Sequence, residues 1–443
     1  MATLRSSLEQ VKQQFHEFLS PTVILQVCHE HQYRFRQRVL GPVETLVAFC
    51  VQVLHGNVAC QALRHWLGPV VTDSAYCQAR QRLPIPIYQT LVRRVSEKLG
   101  VEVQSERWKG RRICLADGST FSMPDTPELQ AHFGHPSGQK DGCSFPVAGL
   151  LVMVHWTTGL IADLCTMPWR DHEQSKIGDL HRCLQAGDVL VADRGFCSYG
   201  HIARLHLRGV DGLFRVHQRQ IVDFTPGRAH AVGKKGSQRG LPRSRWIRTL
   251  GQTDQIVCWT RPPTCPKYLS REQWAALPEQ VTVREVSYRV ETSGYRTREI
   301  TLVTTLLDAH TFSSEDLAGL YLLRWRIELN LRDLKTTMGL EVLKCKTIHG
   351  ILKELYVFAL IYNMVMAIRF RVAQAMDVCP ARLSFVDTLR HVCVCGWTVP
   401  RTLVVNPERP GRWHPRVVKR RAKPHSLMTK PRYQYLITET SRP

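Results

Sequence analysis

Apolar positions in the first hundred residues recur three and four apart, the spacing of one helix face. They run through Val43, Leu46 and Val47 to Val53 and Leu54. A short helix is predicted from Ala59 to Leu67, closed by Gly68 and Pro69. A second begins near Ser74, with Thr72, Asp73 or Ser74 as its cap, and passes Tyr76, Gln78, Arg80, Gln81 and Arg82 before Pro84. Two short helices about a turn, the second showing Tyr, Gln and Arg, fit a helix-turn-helix and equally an ordinary helical hairpin. From Arg111 the period becomes that of strands. Ile113 to Ala116 is apolar and ends in Asp117 and Gly118. Phe145 to Trp156 and Leu160 to Leu164 flank a Thr157–Gly159 turn and read as a hairpin. A helix from Glu173 to Leu184, closed by Gly187, precedes a short buried strand ending in Asp193. A helix from Tyr199 to Leu207 and a strand from Gly212 to Val216 follow. This order predicts an α/β (α+β) fold, a mixed sheet covered by helices.

The order breaks at about residue 219. Residues 224–248 hold seven Lys/Arg and no acid, and strand-like runs lie near Trp246, Trp259 and from Gln280 to Val290. The stretch to 298 reads as a β-rich insertion with a basic loop. A strand from Glu299 to Leu306 resumes the core and leads, past the cap candidates Ser313 and Ser314, into a long helix. On that helix Tyr321, Arg324, Glu328 and Lys335 fall within an arc of about 60° at about 100° per residue. Leu320, Leu323, Ile327, Leu331, Leu334 and Met338 form a separate sector that can dock on a core. The charged sector either faces a ligand or is a solvated face laced with salt bridges. Tyr356 to Ile368 is the most apolar run; its thirteen residues are too few to span a bilayer and read as a buried helix. Beyond 377 the composition shifts, and residues 401–432 carry ten Lys/Arg and one acid, a mostly extended basic tail. The predicted units are 1–108 (all-helical), 109–218, 219–298 (insertion), 299–376 and 377–443.

Charge narrows the partner. Sixty Lys+Arg against 37 Asp+Glu leave a net +23, which favours a polyanion, most commonly nucleic acid. A membrane surface is the rival, weakened by the lack of a signal peptide or long apolar run. Hydrophobic content of 44% fits a folded chain. Fifteen scattered cysteines with no Cys-x-x-Cys pair read as small buried residues in a reducing cytoplasm. His391, Cys393 and Cys395 match no common zinc spacing.

Asp117 and Asp193 each close an apolar strand where the backbone turns, and carboxylates at the carboxyl edge of neighbouring strands converge. A lone strand-end Asp is more often a turn cap. Glu328 on a packed helix completes a trio; three carboxylates repel one another, and a divalent cation removes that cost. Hard oxygen ligands select Mg²⁺ or Mn²⁺, and two such ions can drive phosphodiester chemistry. Were Glu328 not the third acid, Asp125 and Glu173 would be next to test.

At these residues the chain resembles the DDE transposases of bacterial insertion sequences, in the subgroup marked by Tyr-x2-Arg-x3-Glu-x6-Lys. Tyr321, Arg324, Glu328 and Lys335 match that motif, Asp117-Gly-Ser-Thr the first acidic motif, and Asp193-Arg-Gly-Phe196 the second. The likeness covers about residues 110 to 350. It implies an RNase H-like core interrupted by the β-rich insertion and preceded by a helical DNA-binding domain. It implies two Mg²⁺ (Mn²⁺ substituting) on Asp117, Asp193 and Glu328. It also implies cleavage at element ends, joining of the freed 3′-OH to target DNA, hairpin-ended intermediates and a homodimer on two ends. Tyr321, Arg324 and Lys335 would hold the DNA, with Arg194, Arg326 and Arg332 extending the track, and residues 1–108 would read the terminal repeats. Some relatives stack an insertion tryptophan on a flipped base; no Trp lies between Gly294 and Leu323, leaving Trp246, Trp259 and Trp274 as candidates or as core residues. A nuclease of the same fold and an inactive, transposase-derived DNA-binding protein are the alternatives. The expected location is the cytoplasm, at the nucleoid, with no membrane partner.

Overall fold

The computed structural model describes residues 15–36, 38–67, 71–102, 107–136, 144–230, 240–290 and 299–407, with Gln13 and Gln434. Gly68, Pro69, Gly294, part of the basic loop (231–239) and most of the basic tail lie outside them.

The front is helical: α1 (Pro21–Glu30), α2 (Pro42–Leu54), the short α3 (Arg64–Leu67), α4 (Asp73–Arg82) and α5 (Ile85–Glu102). Ser20 and Thr72 cap α1 and α4 by accepting from Val23 N and Ala75 N, answering N–H groups that the helix leaves unpaired. Then come β1 (Ile113–Ser122), α6 (Pro127–Phe133), β2 (Val147–His155), β3 (Ile161–Pro168), α7 (Glu173–Leu180), β4 (Val189–Ala192), α8 (Tyr199–His206) and β5 (Asp211–Arg215). Strands β6 (Arg243–Gly251), β7 (Asp254–Thr260) and β8 (Gln280–Arg289), with α9 (Arg271–Ala275) between the last two, precede β9 (Glu299–Thr304). Four helices finish the described fold: α10 (Ser314–Leu322), α11 (Trp325–Arg332), α12 (Ile348–Ala375) and α13 (Phe385–Cys395).

All nine strands form one sheet in the order β3-β2-β1-β4-β5-β9-β8-β7-β6. β1, β4 and β5 run parallel; the other pairs are antiparallel. The strands of residues 243–289 therefore extend the central sheet through the β8–β9 pair. Side chains alternate across the sheet. Ile113, Leu115, Val189 and Val191 join the core shared with α2, α5 and α12, whereas Cys114, Ala116, Leu190 and Ala192 join the core under α7 and α8.

Four sequence expectations change here. First, β1 does not end at Asp117 but continues to Ser122, because its far half pairs with β2 after β4 has stopped. Second, the long helix around Glu328 is not continuous. At Leu323 and Arg324 the bonding tightens, with Arg324 N donating to Tyr321 O and Arg326 N to Leu323 O, and at Asp333–Thr337 it widens into a π-turn. Third, the α4 helix does not present Tyr76 and Arg80 to solvent. Tyr76 is buried with its hydroxyl donating to Gln52 Oε1 (2.9 Å), and the Arg80 guanidinium lies 3.8 Å from the Phe49 ring centroid. Gln78, Gln81 and Arg82 are exposed. Fourth, the Tyr356–Ile368 run is the middle of a 28-residue helix, the one helix among the described residues long and apolar enough to cross a membrane; 94% of its apolar window is buried inside the protein.

Candidate active site

Register sets the first two acids side by side. On parallel β1 and β4, Ala116 pairs with Ala192 as the last pair of the ladder, so Asp117 and Asp193 are the next residue on each chain segment. By alternation both lie on the sheet face of Leu115 and Val191, the face that α11 covers. Beyond Ala192 the chain turns: Asp193 caps a short 3₁₀ turn over Arg194–Phe196, and its Oδ1 accepts from Gly195 N (2.6 Å). Asp117 Oδ1 accepts from Gly118 N (2.9 Å).

The third acid arrives on α11, which packs on β1 through the same core: Ile327 and Leu331 are buried, and Asn330 Nδ2 donates to Gly159 O in the β2–β3 turn (3.1 Å). Gly159 is in the left-handed region (φ 68°), and a Cβ there would lie 2.3 Å from Asn330 Nδ2. Glu328 Oε1 accepts from Arg324 Nη2 (2.8 Å), and Arg324 Nη1 is 3.6 Å from Asp117 Oδ2. One guanidinium thus bridges two carboxylates from different elements.

Asp117, Glu328, Arg332, Lys335 and Glu341 line one open cavity of about 380 Å³. Its far wall is held because Glu341 O accepts from Ser122 N (3.0 Å) at the end of β1. Tyr321 is buried below, its ring centroid 5.9 Å from the Arg324 guanidinium. Arg194 is exposed beside Asp193. Arg326 turns away from the cavity and lies 5.5 Å from the Trp156 ring centroid. Trp259 and Trp274 are core residues, and Trp246 is half-buried with its indole N–H on Thr249 Oγ1 (3.2 Å). His391 is occupied by Thr398, its Nε2 3.0 Å from the carbonyl oxygen.

Burial pushes the Asp117 carboxyl up to about 6; the Gly118 N–H and Arg324 oppose this, while Asp193 and Glu328 add to it. Glu173, at the start of α7, is pushed up to about 7 by burial and by the charges of Asp193 and Asp117. Burial also raises the Tyr321 phenol. The donors here are all carboxylate oxygens, which suits a hard divalent cation rather than zinc. Among the described residues no three of them are gathered as a ready metal cage, and Arg324 supplies the positive charge between Asp117 and Glu328.

This edge of the sheet falls inside a recognised domain. The profile of the family described as "Transposase DDE domain" matches residues 108–364, from just before β1 into α12. The chain belongs to that family. It is a DDE transposase, an enzyme that cleaves DNA and transfers strands, and divalent metal is the family's general cofactor. The transposase is 26% identical over 349 residues to "Transposase InsG for insertion sequence element IS4" of Escherichia coli (strain K12), an alignment covering 78% of this chain and 70% of that one. It is 25% identical over 142 residues to "Putative transposase InsZ" of the same organism, covering 32% of this chain and 48% of the other. Among solved structures, the cryo-EM piggyBac transposase synaptic complex with hairpin DNA superposes with a TM-score of 0.42 at 11% identity, covering 87% of this chain and 79% of that one. That likeness is distant. The function expected from the motifs, an insertion-sequence DDE transposase, therefore stands.

Glu173 lies outside the expected trio, and Glu341 is a cavity residue that no sequence motif marks. Glu173 carried a signal, a helix-starting acid shortly before the second acidic strand; Glu341 carried none, since a π-turn and a strand-edge bridge bring it round.

Proposed function

We propose that Asp117, Asp193 and Glu328 are the acid trio of this transposase, in an RNase H-like core of the Tyr-x2-Arg-x3-Glu-x6-Lys subgroup. The observation that carries this reading is the Ala116–Ala192 register, which is followed on each chain segment by an aspartate, while Arg324 ties Glu328 to Asp117. The order β3-β2-β1-β4-β5 with a parallel centre supports the RNase H-like core, and the excursion of β6–β8 between β5 and β9 supports an insertion there. Two Mg²⁺ ions held by the trio would neutralise the carboxylates and the charge that builds on the phosphodiester.

The chain's own residues do the rest. Arg332 and Lys335, on the cavity wall beside Glu328, give a phosphate a fixed cationic seat. Arg324 is built to exchange partners: a guanidinium that pairs with Asp117 and Glu328 can fork onto phosphate once metal takes the carboxylates. Tyr321 holds Arg324 from below through ring contact. Arg194 extends the track past Asp193, and Arg326, on Trp156, braces α11 against the hairpin. Water nicks the element end to free a 3′-OH, which attacks the opposite strand, forming a hairpin and expelling the flanking DNA. A second water reopens the hairpin, and the regenerated 3′-OH attacks a target phosphodiester, expelling a target 3′-OH. Two copies act on two ends, at the nucleoid.

The test is purified protein with a labelled element-end duplex and Mg²⁺, beside Asp193→Ala, on denaturing and native gels. Metal-dependent nicking followed by joining to plasmid, absent in the variant, supports the assignment. Nicking by Asp193→Ala at the normal rate would remove Asp193 from the site, and cutting without joining would make the protein a nuclease.

A further inference from the structure

Glu173 is the carboxylate that the trio leaves unused. It starts α7, which packs through Ile177 and Leu180 on the sheet face opposite α11. From that side its side chain reaches over the carboxyl edge of the sheet. A Cβ built on Gly118 would fall 1.6 Å from Glu173 Oε1, and one built on Gly195 would fall 3.6 Å from Oε2 and 2.9 Å from Asp193 Oδ1. Gly118 follows Asp117, and Gly195 is two positions past Asp193. Neither glycine has a left-handed backbone, so conformation does not demand glycine at either place. At Gly118 the approach of the Glu173 carboxylate does.

The carboxylate itself is half-buried and has no hydrogen bond or ion pair among the described residues, although Gln174 beside it binds Gly195 O (2.7 Å) and fixes the start of α7 there. An unanswered carboxylate pressed toward two others is costly unless a cation joins them. A surface glutamate at a helix start would instead turn outward, where it still favours the helix dipole.

We propose that Glu173 is a fourth carboxylate of the divalent-metal site, approaching the Asp117–Asp193 pair from the sheet face opposite Glu328. Gly118, next to Asp117, is then the clearance for its side chain. The inference rests on the acid-trio reading, and its test separates the two.

Mn²⁺ binding to the full-length protein without DNA would be measured by calorimetry and by the loss of the free-ion paramagnetic resonance signal. Wild type, Glu173→Gln, Gly118→Ala and Asp193→Asn would be compared, each also melted without metal. Glu173→Gln is expected to weaken Mn²⁺ binding about tenfold, in the range that supporting groups of metal sites show, and to raise the metal-free melting temperature because a repulsive charge is gone. Gly118→Ala, which pushes the Glu173 carboxylate away and leaves every acid in place, is expected to weaken Mn²⁺ binding likewise. Wild-type affinity in Glu173→Gln with a defect in Asp193→Asn would overturn the fourth ligand and leave the trio standing. Wild-type affinity in all three variants would sink the trio as well. A lower metal-free melting temperature in Glu173→Gln with unchanged affinity would make Glu173 a helix-start residue only.

Discussion

Two clusters of charge in this transposase, one buried and one half-buried, are built on opposite plans. Around Glu354 in α12 every need is met. Its Oε1 accepts from Asn57 Nδ2 and Lys344 N, and its Oε2 from Cys345 N (2.9 Å). Neighbouring Lys353 donates to Arg80 O and Gln81 O (2.9 Å each) at the end of α4, where carbonyls lack helical partners. Arg80 donates to Gln52 Oε1 (3.1 Å) and covers Phe49. These groups fasten the helical front to the long central helix. At the sheet edge the opposite holds: Asp117 and Glu328 share the Arg324 guanidinium, Glu173 has no partner among the described residues, and burial with neighbouring negative charge holds Asp117 and Glu173 above the usual carboxylate range. A carboxylate ringed by N–H donors stabilises the fold, whereas carboxylates set beside carboxylates are kept for a ligand.

The contrast can be broken from either side. The largest effect is expected at the edge. Glu328→Gln should keep DNA-end binding and lose cleavage by on the order of 10³-fold or more, since several kcal/mol of charge stabilisation go with the site; cleavage near the wild-type rate in a single-turnover assay would move the third acid elsewhere. Next is Glu354→Ala, which strands three N–H donors, that of Asn57 buried, and the Lys353 and Arg80 charges beside them, and should cost about 3 kcal/mol in urea denaturation. A cost near zero would mean that the two clusters do not differ in kind. Arg324→Met should lower metal-free stability by about 1 kcal/mol, because Asp117 and Glu328 lose their shared cation, and Mg²⁺ should restore it. Equal melting temperatures with and without metal in that variant would show that Arg324 and metal do not compete.

The smallest effect is in pH. Asp117 and Glu173 titrate in the fold at about 6 and about 7, above their ordinary values of 3.8 and 4.5. Groups raised in this way favour the folded state below their ordinary values, and the benefit is lost as pH rises through 6 and 7. Metal-free protein should therefore melt roughly 2 °C lower at pH 8 than at pH 5.5 from this source, with a shallower slope in Glu173→Gln. A slope identical in both proteins would remove Glu173 from the account.

Much was legible in the chain because it is local. The period change at Arg111, the Thr157–Gly159 hairpin and the caps at Thr72 and Ser313 are written in neighbouring residues, and so are the acidic and Tyr-Arg-Glu-Lys motifs. They were enough to name the family and point at three acids. What stayed hidden depends on partners far along the chain. Tyr76 and Arg80 look like a reading surface until Gln52 and Phe49 cover them. Asp117 looks like a strand end until β2 carries β1 five residues further. Arg324 looks like a phosphate clamp until the tightened turn before α11 points it at Asp117.

The sequence by itself thus determined the chemistry available: which side chains can hold metal and phosphate, and on what kind of element each sits. Tertiary structure alone decided which carboxylates meet. Strand register and the packing of α7 and α11 on opposite faces of one sheet bring Asp117 near residues more than fifty positions away, and no short-range pattern encodes a long-range distance.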